Sequence, residues 1–306
     1  MTTPGIRVSR EWLALREPAD AAARANDLVE RVKEQLPATG RRVIHDLGCG
    51  TGAMARWLAP LLPGPQHWVL HDCDADLLEI AESEPLGPAA DGAAVTVETR
   101  QSDIARLLPG DLAGATLITA SALLDLLTEQ ELSALTAVCA GARSLVLLTL
   151  SVVGQVQLTP AEPLDRRVAA AFDAHQRRVT ERGRLLGPDA AAVAVQQLGR
   201  LGSELHVRSS AWRLGPSEAE LAAEWFNGWV GAACEQEREL VVAAEPYTRR
   251  RLAQAAAGAL RVTVDHADLL MSPGRQRDVE RVSAPLRLGR EIASVRGGQV
   301  YARRYK

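Results

Sequence analysis

Lysine is nearly absent from this chain of 306 residues, standing only at positions 33 and 306, so arginine carries almost all of its positive charge. Together with the abundance of alanine this fits the coding bias of a GC-rich genome and carries no functional information. An excess of one sign is also missing. The 35 basic and 38 acidic residues leave a net charge of −3, which removes the global field that draws proteins onto nucleic acid or anionic lipid. The four cysteines (Cys49, Cys73, Cys139, Cys234) lie far apart with no C-x-x-C pair and no dense His/Cys cluster, excluding a disulfide scaffold and a structural zinc site. No basic segment leads into an apolar one at the start, and no run of about 18 uncharged apolar residues exists anywhere. A soluble, cytoplasmic protein with no membrane partner is therefore expected. What is present is ordinary for a folded chain: 47 % hydrophobic and 24 % charged residues, in a length sufficient for a large core.

The periodicity predicts an alternating fold. Glu11 to Leu36 carries apolar and alanine positions at helical spacing, interrupted by Pro18, and reads as two helical pieces. Strands are predicted at Arg42–Leu47, His67–His71, Val95–Thr99, Ala115–Ala120 and Ser144–Leu150, with helical segments from Gly52, Ala75, Asp103 and Glu129 between them. Such alternation implies right-handed crossovers and a doubly wound, mostly parallel sheet. Beyond Leu150 the rhythm changes to helices at Pro163–Arg178, Pro188–Leu201, Ser217–Val242 and Thr248–Ala257, with strands at Glu204–Arg208 and Leu260–Val264. From Ser272 to Lys306 the pattern fails, over nine basic and three acidic residues. The expected organisation is one domain over 1–271, with a helical cover (1–40), a cofactor-binding half (41–150) and a substrate-side half (151–271), followed by a basic appendage (272–306) that is either loosely packed or a hairpin.

The strongest chemical signal is Val43-Ile44-His45-Asp46-Leu47-Gly48-Cys49-Gly50-Thr51-Gly52, an apolar strand ending in Asp-x-Gly-x-Gly-x-Gly and feeding a helix. Glycines at a strand-to-helix turn let the backbone turn sharply and let a ligand approach the main chain. A dinucleotide site reads G-x-G-x-x-G and seats a pyrophosphate on the helix N-terminus, where a nearby carboxylate would repel it. Here the third glycine comes one residue early and Asp46 precedes the first, which suits a cationic ligand better and disfavours a nicotinamide-dependent oxidoreductase.

From Val43 to Leu150 the chain resembles the class I S-adenosylmethionine-dependent methyltransferases of the small-molecule type, DLGCGTG being close to the usual form of their first motif. The resemblance implies a Rossmann-like α/β fold with a seven-stranded, mostly parallel sheet whose last strand is antiparallel. It implies S-adenosyl-L-methionine as cofactor, with Asp46, Gly48, Cys49, Gly50 and Gly52 at the loop. Asp72, beside Cys73 at the end of the second strand, would accept the ribose hydroxyls. Asp103 and Ile104 would meet the adenine, and Ala120 and Ser121 the methionine part. Asp72 and Asp103 could instead only cap the helices that they start. Arg16 on the N-terminal helix is a candidate for the methionine carboxylate, with Arg24 the second choice, although Arg16 could simply pair with Asp20.

A methyl on a sulfonium is already activated, so alignment of nucleophile, methyl and leaving sulfur is the main catalytic demand, with a general base useful for a hydroxyl acceptor. His175 and Asp125 are the candidates for catalytic groups. No metal site is expected. The function expected is in-line methyl transfer to a small-molecule acceptor, an oxygen or nitrogen nucleophile. Alternatives are a catalytically inactive partner subunit that binds S-adenosylmethionine or S-adenosylhomocysteine, and an RNA methyltransferase. The last is disfavoured by the acidic chain and by a basic tail whose only aromatics are Tyr301 and Tyr305.

Overall fold

In the computed structural model residues 8–273, 292–296 and 299–303 are described. Two helices lead, α1 (Arg10–Ala23), capped by the Ser9 hydroxyl accepting from Trp12 N–H, and α2 (Asn26–Gln35). The break falls at Arg24–Ala25 rather than at Pro18, which stands inside α1. Pro18 and Ala14 are both exposed, so water satisfies the carbonyl that proline leaves without a donor.

The alternating region follows the pattern closely: β1 (Arg42–Leu47), α3 (Ala53–Leu58), β2 (Gln66–Asp72), α4 (Ala75–Ser83), β3 (Val95–Gln101), β4 (Leu117–Ser121), α5 (Glu129–Gly141) and β5 (Leu145–Thr159). The segment predicted at Asp103 is one 3-10 turn, Ile104–Arg106. Helix α5 begins with a capping box, Glu131 N–H on the Thr128 hydroxyl and Thr128 N–H on the Glu131 carboxylate. Then come α6 (Asp165–Gln176), a small hairpin of β6 (Val179–Thr180) and β7 (Gly183–Arg184), α7 (Ala190–Arg200), β8 (Glu204–Ser209), β9 (Trp212–Leu214), α8 (Ala219–Gln236), α9 (Val241–Ala256), β10 (Arg261–Ser272), β11 (Ile292–Arg296) and β12 (Gln299–Arg303). The long helix expected over Ser217–Val242 is broken at Glu237, which leaves the helical region (φ −130°, ψ 89°) as its carboxylate takes the Arg167 guanidinium of α6, and α9 absorbs the helix expected at Thr248.

The main sheet runs β12-β11-β8-β10-β5-β4-β1-β2-β3, with β9 beside β10. Strands β1 to β5 are parallel, and β10 is antiparallel to both β5 and β8. This is the Rossmann-like, doubly wound and mostly parallel fold expected, with three strands beyond the expected seven. The hairpin of β11 and β12, in the basic C-terminal segment, extends the sheet through β8, while residues 274–291, 297–298 and 304–306, with Tyr305, lie outside the described residues.

Two cores flank the sheet. One joins α2, α3 and α4 to Ile44, Trp68 and Leu70, and the other joins α5 and α7 to Leu47, Ile118 and Leu148. A third lies where β5 and β10 run on past the C-terminal edge of the parallel strands, filled by Leu158, Val262 and Val264 with α6, α8 and α9. Trp225 and Trp229 stack there, 5.2 Å apart, as part of the packing. The ladder between β5 and β10 shifts register on either side of His266–Ala267, and Leu150 opposite has φ +56°. Such bulges bend a strand pair, and here the bend lies where the extension leaves the sheet beside the edge at which ligands bind in open α/β folds. No helix among the described residues is long and apolar enough to cross a membrane.

Candidate active site

At the C-terminal edge of β1 the chain turns through Gly48, Gly50 and Gly52, with φ of +67°, +54° and +85°. A side chain at Gly50 would be strained and would bring its Cβ to 3.2 Å from Leu13 Cδ1 of α1. The Gly50 N–H donates to Asp72 Oδ2 at 2.9 Å and the Asp74 N–H to Asp72 Oδ1 at 3.0 Å. This carboxylate is thus fixed against the loop by main chain from both sides, and each oxygen retains acceptor capacity. Asp74, one turn on, caps α4. Cys49 is buried, its thiol pushed up by burial and by Asp46 and Asp72, whereas Cys73 is exposed. His71, adjacent to Asp72, turns away into the sheet: its Nε2 meets His45 Nδ1 at 2.9 Å and its Nδ1 meets the Ser102 hydroxyl at 3.0 Å.

Asp46 is 1 % exposed; Oδ1 accepts from the Thr119 hydroxyl at 2.7 Å, and Oδ2 is buried without a partner. Burial lifts its carboxyl to about 7, a rise reinforced by Asp72 and opposed by the Thr119 bond and the Arg24 charge. Arg24, at the break between α1 and α2, is also buried. Its Nη2 donates to the Ser121 hydroxyl at 3.1 Å, its plane lies over Trp57 at 5.0 Å, and its Nε and Nη1 have no partner. Burial pulls this guanidinium down, against the pull of Asp20, Asp268 and Asp46. Arg16, preferred over Arg24 from the sequence, is engaged elsewhere: Nε and Nη2 donate to Asp20 at 2.9 and 3.2 Å, and its plane lies over Trp212 at 5.0 Å. The arginine brought to the end of β4 is Arg24. The two stand eight positions apart, so helical periodicity could not choose between them; the deciding partner, Ser121, lies 97 positions from Arg24.

Ala120 is buried at the end of β4, and Ala122 just beyond Ser121 has φ +50°. Asp103 caps its 3-10 turn through Ala105 N–H at 3.0 Å and pairs with Arg106 at 3.4 Å; Ile104 packs on the core beneath α5 and α7. Arg56 of α3 clamps the loop by donating to the Thr51 carbonyl, while it pairs with Glu17 of α1 at 2.6 Å and Glu84 after α4 at 2.8 Å. Helix α1 is thereby fastened across the glycine turn, a contact that no local pattern announces.

Beyond the end of β4 Asp125 sits half-buried in a 3-10 turn. Burial raises its carboxyl to about 6, with the charges of Arg16 and Arg178 acting the other way, and it has no ion pair among the described residues. Trp212 Nε1 donates to Asp20 Oδ1 at 2.9 Å, and His266, held neutral by burial and pulled to about 3, packs on Trp212 with Nδ1 unpartnered. Neither residue was singled out from sequence. The His175 ring is not brought to Asp125: at the end of α6 its Nε2 meets Glu235 Oε2 of α8 at 3.1 Å.

Comparison with known proteins decides what this edge belongs to. A family model described as a methyltransferase domain matches residues 44–142, from β1 through α5. Over those residues the chain carries a methyltransferase domain. No protein among those of curated function matches it. Among solved structures, the cyclopropane synthase MmaA2 from Mycobacterium tuberculosis is 14 % identical, with 87 % of this chain and 95 % of that one covered and a TM-score of 0.45. Magnesium protoporphyrin IX methyltransferase from Synechocystis PCC 6803 is 16 % identical, with 69 % and 83 % covered and a TM-score of 0.40. The residues present fit S-adenosylmethionine, the cofactor that the sequence resemblance implies. The buried atoms left without partners beside the glycine turn are a carboxylate oxygen of Asp46 and two guanidinium nitrogens of Arg24, complementary to the ammonium and carboxylate of an amino acid.

Proposed function

We propose that this methyltransferase transfers the cofactor's methyl group to a small-molecule acceptor, an oxygen or nitrogen nucleophile, by in-line displacement at the C-terminal edge of β1 and β4. The observation that carries this reading is the presence, at one edge, of buried atoms without partners, Arg24 Nε and Nη1 and Asp46 Oδ2, together with a half-buried Asp125 that has no ion pair among the described residues. When bound, S-adenosylmethionine supplies a methyl already activated on a sulfonium. What remains for the protein is to hold, orient and exclude water. Asp72 accepts the ribose hydroxyls, Arg24 takes the carboxylate through its free Nε and Nη1, and Asp46 faces the ammonium. Asp103 and Ile104 flank the adenine, Ala120 and Ser121 the methionine chain.

Asp125 is the group we assign to proton removal from the acceptor. Being half-buried with no cation within ion-pair distance among the described residues, it holds a proton more tightly than an ordinary carboxylate and is still ionised at neutral pH. His175 receives no step, its ring nitrogen being taken by Glu235. The extension of β5 and β10 with α6, α8 and α9 places a large apolar body beside the edge, which favours a bounded small molecule over a polymer.

Titration calorimetry with S-adenosylhomocysteine, followed by release of that product against a panel of small hydroxyl and amine acceptors, tests this function. One-to-one binding and acceptor-dependent release are expected. Binding with no release against any acceptor would instead make the chain a silent binding subunit, and release with RNA alone would refute the acceptor class.

A further inference from the structure

We infer that Asp268 is the positioning residue of the cofactor site, setting Arg24 from β10, on the face of the sheet that α2 covers; the inference rests on the reading of Arg24 as the carboxylate ligand. Asp268 lies on β10, 1 % exposed, within the stretch where the ladder to β5 slips. Its Oδ1 accepts from Leu150 N–H at 2.7 Å and from the Ser210 hydroxyl at 2.5 Å, and its Oδ2 accepts from Ala25 N–H at 2.8 Å. All three partners donate and none accepts, the pattern that an ionised carboxylate satisfies. Two of these bonds go to main chain that the fold leaves unpaired. Leu150, at φ +56°, stands where β5 leaves its register, and Ala25 is the non-helical residue before α2.

Ala25 directly follows Arg24, so the bond to Oδ2 fixes the peptide that carries the arginine. On its other side the Arg24 N–H donates to the Asp20 carbonyl at 3.1 Å, so Asp268 supplies the hold that follows the arginine. Ala25 has no side-chain cap of its own, and α1 has already ended. The Arg24 guanidinium feels the Asp268 charge, yet no hydrogen bond joins the two side chains, so Asp268 directs this arginine through the backbone rather than by pairing with it. The arrangement leaves Arg24 Nε and Nη1 free of protein partners. An arginine held by its own carboxylate partner, as Arg16 is by Asp20, would not have them to offer.

An amide at position 268 retains shape but not function. Its oxygen would serve the two donors now on Oδ1, turning an NH₂ group toward the Ala25 N–H, donor against donor. S-adenosylhomocysteine and 5′-methylthioadenosine, which lacks the amino-acid end, are the probes, with affinity read by calorimetry. Arg24→Ala comes first: it should weaken the former by about tenfold or more and the latter by less than about twofold. Equal loss for both ligands would overturn the role of Arg24 itself. Asp268→Asn should give the same selective loss of about tenfold, and the double variant should bind no more weakly than Arg24→Ala alone. A loss shared by both ligands, or additive losses in the double variant, would reduce Asp268 to a structural residue. If melting shows that Asp268→Asn does not fold, Ser210→Ala, which spares both main-chain bonds, should show the selective loss at about two- to threefold; no loss, or an unselective one, would overturn the inference.

Discussion

Asp46→Asn should make the unliganded protein more stable at neutral pH while weakening its cofactor binding. Burial and the lack of a partner on Oδ2 raise the Asp46 carboxyl to about 7, from 3.8 in an open chain. Between those two values the native state binds the proton more tightly than the unfolded state, so stability falls as pH rises through the window and levels off above about 7. Roughly three units correspond to a ceiling of about 4 kcal/mol. Asparagine cannot ionise and therefore escapes this cost. Urea unfolding of both proteins from pH 4 to pH 8 should show a stability difference that moves steadily toward the variant, by a few kcal/mol in total, with most of the change between about pH 4 and pH 7. Saturating S-adenosylhomocysteine should narrow the gap, because the ammonium then compensates the wild-type carboxylate. A difference that stays flat with pH would refute the reasoning. It would mean that the nearby Arg24 charge neutralises Asp46 completely, and that the acid is not stored at a cost that the ligand relieves.

Asp72→Ala removes the acceptor of two main-chain bonds and of the expected ribose hydroxyls, so 5′-methylthioadenosine affinity should fall by roughly tenfold to a hundredfold; an unchanged dissociation constant removes Asp72 from the site. Gly50→Ala forces a side chain to φ +54° and into contact with Leu13, costing about 1–2 kcal/mol in the thermal melt and loosening α1 from the loop; wild-type stability and affinity would contradict the close packing. With an acceptor in hand, turnover should rise with pH through about 6 as Asp125 loses its proton. Asp125→Asn should abolish that limb and slow the reaction by about a hundredfold or more, whereas an unaltered profile would dismiss Asp125 as base, and His175→Ala measured beside it should leave the limb in place.

The succession of strands and helices, the glycine turn and the place of Asp72 at the end of the second strand were legible in the sequence because each is written within a short stretch: β-branched runs before a glycine cluster and an acid at the end of the next strand. Parallel strands buried on both faces announce themselves locally. The helical character of the N-terminal segment was equally plain, yet the position of its break was not. Pro18 is the local signal, and it lies on an exposed helix face where water repairs the damage. The chain actually breaks at Ala25, whose N–H is claimed by Asp268, 243 residues away. Long-range contacts likewise bring Arg24 rather than Arg16 to the end of β4, a choice that no periodicity contains. His266, Trp212 and the Glu17–Arg56 clamp belong to the same class. Sequence settled what local backbone chemistry and hydrophobic spacing dictate; tertiary structure alone decided which buried charges were left unpartnered, because a partner is a matter of distance across the fold and not along the chain.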